Sequence, residues 1–130
     1  GGEVAARALA SNLADPAEDV VVKRFAAQGL GIQEPNDAVI RALAEAYHGE
    51  LDFTVRFNAV AGLQSHAGRA DVRAELAAIF ETDPSDDIRA LAMTALAMAG
   101  LDFERAIEAG RRDTSPKVRE MAASLAALKP

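Results

Sequence analysis

Four times along this chain a branched aliphatic residue and a base are followed, at helical spacing, by alanine and then leucine. Val22-Lys23 precedes Ala26 and Gly29-Leu30, and Val55-Arg56 precedes Ala59 and Gly62-Leu63. Ile88-Arg89 precedes Ala92 and Ala95-Leu96, and Val118-Arg119 precedes Ala122 and Leu125. The anchors Val22, Val55, Ile88 and Val118 stand 33, 33 and 30 residues apart. A fixed period in that range marks stacked supersecondary units, none of which can bury its apolar face alone.

Each unit reads as two antiparallel helices. In the second helix of each unit, apolar residues fall at 0, 3 or 4, and 7 or 8 from the anchor, the stripe of a 3.6-residue period. Asp15-Pro16, Asp83-Pro84 and Ser115-Pro116 each place a capping oxygen before a proline that suits the first helical turn. Asp15 with Glu18 has the spacing of a capping box, and Asp52 supplies a cap without a proline. First helices are expected over residues 3–14 (Val4, Leu9, Leu13), 37–48 (Val39, Leu43, Tyr47), 70–81 (Val72, Leu76, Ile79) and 103–111 (Phe103, Ile107). Breaks fall at Gly31 to Pro35, Ser65 to Gly68 and Gly100, with Asn36 and Asp102 as the next caps. Nothing alternates with period two for long enough to be a strand. The expected fold is all-α, an α-solenoid of antiparallel helix pairs forming one domain over residues 1–130, with units of about 3–31, 36–66, 69–99 and 102–129. The opening Gly1-Gly2, without a Met, reads as a tag remnant or as a piece of a longer protein.

The Val-Arg-x-x-Ala-x-x-x-Leu core, preceded by Asp83 and Asp113 about five residues earlier, resembles the HEAT-like repeats of the phycobilisome-lyase type. This HEAT-like or armadillo-like resemblance runs over residues 3–129. Two departures stand out: Lys23 with its run Val20-Val21-Val22, and the leucine shifted to Leu125. Such repeats imply a fold and leave the activity open. They also imply that the repeated base (Lys23, Arg56, Arg89, Arg119) pairs with an aspartate near a turn and ties neighbouring units together. Asp15, Asp52, Asp83, Asp86, Asp87 and Asp113 are the available partners.

Candidates for chemistry are few. With no cysteine, disulfides and thiolate metal sites are excluded, and a reducing cytoplasmic setting fits. His48 and His66 are the only histidines, too few for a zinc site. The acidic run Glu81 to Asp87 has Ile88 and Thr94 where a calcium loop counted from Asp83 needs Gly and Glu. Ser11, Ser65, Ser85, Ser115 and Ser124 fall in caps, turns or exposed helix positions, without a His–Asp arrangement nearby in sequence. No catalytic residue, cofactor or metal is therefore expected. The net charge of −6 disfavours a nucleic-acid backbone, although Arg111, Arg112, Lys117 and Arg119 make the last unit locally basic. No run is long and apolar enough to cross a membrane.

Binding is expected on the inner face built by the second helices, where positions 2, 5, 6 and 9 after each anchor point away from the first-helix layer. That face is small and smooth around Phe57, Val60, Met93 and Thr94, with Arg24, Gln28 and Gln64 adding polarity. An exposed apolar strip of this kind suits a partner peptide or helix. The reading is a non-catalytic protein-interaction scaffold in the cytoplasm. The alternatives are a HEAT-like enzyme or chaperone-like lyase of the bilin-lyase or alkylated-base glycosylase type, implied by the resemblance, and a structural spacer or oligomerisation module. Leu125 and Leu128 near the end of the last helix face their own first helix, meet more repeats, or form a homodimer.

Overall fold

The computed structural model describes residues 2–34, 36–100 and 103–128. Among these residues there are eight α-helices and no strand. They are α1 (Gly2–Ala14), α2 (Val20–Gly31), α3 (Asp37–Gly49), α4 (Phe53–Ser65), α5 (Ala70–Thr82), α6 (Asp86–Ala99), α7 (Phe103–Arg111) and α8 (Pro116–Leu128). Short turns join the helices of each pair, and α1 packs on α2, α3 on α4, α5 on α6 and α7 on α8, as the period implied. Asp102, expected to cap α7, lies outside the described residues, as do Gly1, Pro35, Lys129 and Pro130.

Capping follows the expected chemistry at four sites and departs from it at two. Asn36 and Asp52 each accept a hydrogen bond at 2.9 Å, from the amides of Val39 and Val55. Ser115 Oγ accepts from the Lys117 amide at 3.2 Å, and Gly100 ends α6 in the left-handed region at φ 83°. The expected caps Asp15 and Asp83 turn out to belong to the turns instead. Asp15 accepts from the Ala17 amide at 2.9 Å within a tight turn, and Asp19 caps α2 through the Val21 amide at 2.8 Å. Glu18 accepts from the Asp19 amide, so the Asp15–Glu18 capping box does not form. Asp83 accepts from the Ser85 amide at 2.8 Å, and Ser85 Oγ caps α6 through Ile88. Asp113 does the same to Ser115 at 2.8 Å. An aspartate that bonds two residues ahead turns the chain, and the next serine then serves as the cap. Ala17 stands where that serine would be, so capping of α2 passes to Asp19.

The chain packs as two compact units, Gly1–His66 and Ala67–Pro130. In the first, α1 pairs with α2 and α3 with α4, while α1 lies against α3 and α2 against α4. Leu13, Leu30, Val39, Leu43, Val55 and Leu63 fill the space between these layers. In the second, α6 packs against α5, α7 and α8, and α7 against α8. Leu76, Ile79, Ile88, Met93, Ile107 and Val118 form its core. The anchors Val55, Ile88 and Val118 are fully buried, whereas Val22 is 37% exposed. Val4 is also largely exposed, and of the last two leucines Leu125 is buried while Leu128 is 76% exposed.

The α2–α4 contact leaves no room for a side chain at its glycines. A Cβ on Gly31 would sit 2.9 Å from Gly62 Cα, and one on Gly62 would sit 2.9 Å from Leu43 Cδ2. Gly29 faces Leu9 of α1 in the same way. In the second unit Gly110 of α7 leaves room for the Met93 sulfur and the Ala122 methyl.

Alanine in place of Gly31 gains up to ~1 kcal/mol of helix propensity. It also pushes a methyl into backbone, where overpacking costs ~1–3 kcal/mol. Because Gly62 Cα cannot swing aside, Gly31→Ala is expected to lower stability by ~1–2 kcal/mol in urea melts. Gly68→Ala, with nothing within 4 Å of the new methyl, serves as the control and is expected to match or slightly exceed the native chain.

Candidate functional site

The repeated base falls at the fourth residue of every second helix: Lys23 in α2, Arg56 in α4, Arg89 in α6 and Arg119 in α8. From there a long side chain reaches back over the preceding turn. Arg89 Nη1 donates to the Asp83 carbonyl at 2.9 Å, and Arg119 Nη1 donates to the Asp113 and Thr114 carbonyls at 2.8 and 2.9 Å. Arg73 in α5 makes the same contacts with the carbonyls of Ala67 and Gly68. The other side of the Arg89 guanidinium grips Asp113, with Nε and Nη2 at 3.1 and 3.0 Å. This bidentate pair joins α6 to the turn before α8. It holds the Asp113 carboxyl below the usual range, chiefly through the Arg89 hydrogen bond, and raises Arg89 in return.

In the first unit Lys23 is buried and bonds Glu50 at 2.6 Å. The tie between neighbouring helix pairs is therefore present, but its acid is Glu50 rather than one of the expected aspartates. Arg56 lies over the Tyr47 ring, 5.2 Å from its centroid.

Arg24, expected to set the polarity of a binding face, is engaged structurally. Its Nε and Nη2 donate to Asp52 at 3.0 and 2.8 Å. Asp52 also caps α4 through the Val55 amide. The Arg24 hydrogen bond, followed by that of Val55, lowers the Asp52 carboxyl to about 2. Asn58 Nδ2 donates to the Arg24 carbonyl at 3.1 Å, closing a polar clasp between α2 and α4.

The remaining expected contact residues divide. Gln28 is exposed, Gln64 and Phe57 are half-buried, and the Phe57 ring leans on Phe53 with centroids 5.9 Å apart. These stand with Arg24 in the first unit, whereas Met93 and Thr94 belong to the second. Thr94 Oγ1 donates to the Ala90 carbonyl at 2.8 Å. Val60 and Met93 are completely buried and cannot meet a partner. The smooth face is likewise occupied by packing at Ala27, Gly31, Ala90 and Ala97. A second helix was expected to bury one stripe, but α6 is covered from three directions, and the Met93 sulfur fills the gap beside Gly110.

One exposed stripe was not anticipated. Val21, Phe25, Gln28 and Ile32 recur at i, i+4, i+7 and i+11 along α2 and its C-terminal cap, and Phe25 and Ile32 are 67% and 84% exposed. The signal lay in the departure itself: three successive valines and Phe25 are more apolar residues than one buried stripe can absorb.

Other features offer binding volume without chemistry. A cleft of ≈ 560 Å³ opens between α1 and α3, its alanine walls bordered by Arg7, Arg41 and Glu45, and one of ≈ 320 Å³ between α5 and α7. Among the described residues no three potential metal ligands converge. His66 is buried with its Nε2 3.3 Å from the Leu30 carbonyl, and His48 meets the edge of Tyr47. No buried side-chain polar atom among the described residues lacks a hydrogen-bond partner.

Paired helices packed pair upon pair, with small residues at their crossings and a base on each second helix, define an α-helical repeat protein. Residues 6–97 match the family model for HEAT repeats, and the chain belongs to that family. The match is to HEAT repeats as a class rather than to the phycobilisome-lyase type. No curated protein and no solved structure matches the chain.

Asp52 is more acidic folded than in an unfolded chain, where an aspartate titrates near 4. Its contribution is therefore complete above about pH 4 and is lost as pH falls towards 2. Asp52→Asn keeps a capping oxygen but has no proton to take up. The variant is expected to start less stable and to show a shallower acid decline in urea midpoint between about pH 4 and 2. Parallel profiles for the two proteins would remove the Arg24–Asp52 pair as the cause.

Proposed function

We propose that this HEAT-repeat chain is a non-catalytic protein-interaction module that receives a peptide or helix of another protein across α2 and α4. The observation that carries the reading is the accessible aromatic pair Phe53–Phe57 at the start of α4, which the Arg24–Asp52 clasp ties to α2, with Gln28 and Gln64 accessible on the same two helices. Such a patch supplies apolar area with fixed polar groups at its border, the composition of a protein-recognition surface. HEAT repeats typically serve protein–protein interaction, which supports the same class of function.

The structural use of its charges points the same way. Lys23 and Arg24 of the first unit and Arg89 of the second are held in ion pairs, which leaves these three bases bound to carboxylates within the fold. Among the described residues no helix is long and apolar enough to cross a membrane. An acidic, cysteine-free chain suits a cytoplasmic partner.

Capture on the immobilised chain, compared with Phe57→Glu and with the more exposed Gln28→Arg, tests the proposal. A partner held by the native chain should be depleted at least about tenfold by each substitution, the loss of roughly one interface hot spot. Circular dichroism should show unchanged helicity. Identical retained sets from all three proteins would sink the reading.

A further inference from the structure

Within each unit, one second helix receives the next by a common scheme. Helix positions are counted here from the first helical residue. The receiving side includes positions 8 and 12, which are Ala27 and Gly31 in α2 and Met93 and Ala97 in α6, all buried. Gly31 meets Gly62 of α4 directly. The arriving helix presents positions 2 and 6: Lys117 of α8 bonds Asp87 at 2.7 Å, and Asn58 of α4 bonds the Arg24 carbonyl. The base at position 4 then takes an acid three residues before the arriving helix, Glu50 for Lys23 and Asp113 for Arg89.

Among the described residues, one side of α8 and one side of α2 built to this scheme are exposed. On α8 the receiving positions are Ala123 and Ala127, small like Ala27 and Gly31 of α2 but exposed. Arg119 at position 4 is exposed and bonded to the carbonyls of Asp113 and Thr114; its charge acts on the Asp113 carboxylate, but Arg89 holds the hydrogen bonds to that group. On α2 the arriving positions 2 and 6 are Val21 and Phe25, both exposed. The turn leading into α2 carries Asp15, Glu18 and Asp19, each accepting from a backbone amide and none within ion-pair distance of a base among the described residues. A smooth side next to an exposed cation thus matches an apolar stripe next to three acids.

We propose that a second copy of this chain covers these surfaces, the Val21–Phe25 stripe of one copy seating on the Ala123–Ala127 side of α8 in the other, with Arg119 meeting the acidic turn. The contact is heterologous, joining two different surfaces; it shares the Gln28 stripe of α2 with the proposed partner face but also needs α8, which that face does not use, so Ala123→Glu separates the two. It is also weak. A face two helices wide and ~13 residues long offers ~400 Å² per partner, about half that of a standard interface. Position 5, which is Arg24 in α2, is Glu120 in α8, so the second ionic contact of the α2–α4 step is missing and Glu120 faces like charge.

Sedimentation velocity of the full chain at rising concentration tests this. The native mass is expected to rise above that of the monomer with concentration and to fall back as salt screens the Arg119 contact. Phe25→Glu and Ala123→Glu each change an exposed side chain, and circular dichroism checks that the fold is kept. Each variant alone should stay monomeric, whereas an equimolar mixture should form a dimer and nothing larger, because each retains one working surface. Glu120→Arg should tighten the association about threefold to fivefold. A native chain that is monomeric at every concentration overturns the proposal. So does either single variant associating like the native chain, which would mean two like surfaces meeting, or a mixture that fails to dimerise.

Discussion

The near-contact of two backbones at Gly31 and Gly62 sets the geometry of the first unit. With no side chain between them, α2 and α4 approach closely enough for a short polar clasp to span the gap. Arg24 can then reach Asp52, and Asn58 the Arg24 carbonyl. A bulkier residue at either glycine would part the helices and stretch every one of those bonds. The second unit solves the same problem differently. Gly110 in α7 admits the Met93 sulfur, so one flexible side chain fills the space where α6, α7 and α8 meet. Thioether side chains suit such irregular gaps.

On that spacing the charged residues act mainly as fasteners between helices. An arginine at the fourth helical position is placed to satisfy turn carbonyls that would otherwise lack donors, and its free edge can hold an acid from the following turn. Arg89 does both at once, while Arg119 does only the first. Because the bonded acids also cap helices or turn the chain, as Asp52 and Asp113 do, removing one carboxylate disturbs two structures together.

The period made the helix pairs legible, and with them the buried Val55, Ile88 and Val118. The capping chemistry of Asn36, Asp52 and Ser115 was readable as well, because a cap depends only on residues within one turn. Reading failed where a residue's role depends on neighbours remote in sequence. Asp83 looks like a cap until the amide of Ser85 claims it. Met93 occupies a position expected to point away from the other helix layer, yet α7 and α8 close over it, and Val60 is buried to the same degree. Val22 shows the reverse: the pattern marks it as core, and it is partly exposed.

That last departure carries the most functional content. A repeat constrains a position only when a neighbouring pair of helices packs on it, so deviations concentrate on sides that receive no neighbour from the same unit. Val21, Phe25 and Ile32 lie along one such stripe of α2, flanked by Val20 and Val22. The three valines are 37% to 48% exposed, while Phe25 and Ile32 leave 67% and 84% of their surface in water. Exposed apolar residues aligned on one stripe are the kind of surface that other proteins recognise, whereas the same residues scattered singly would carry no such meaning.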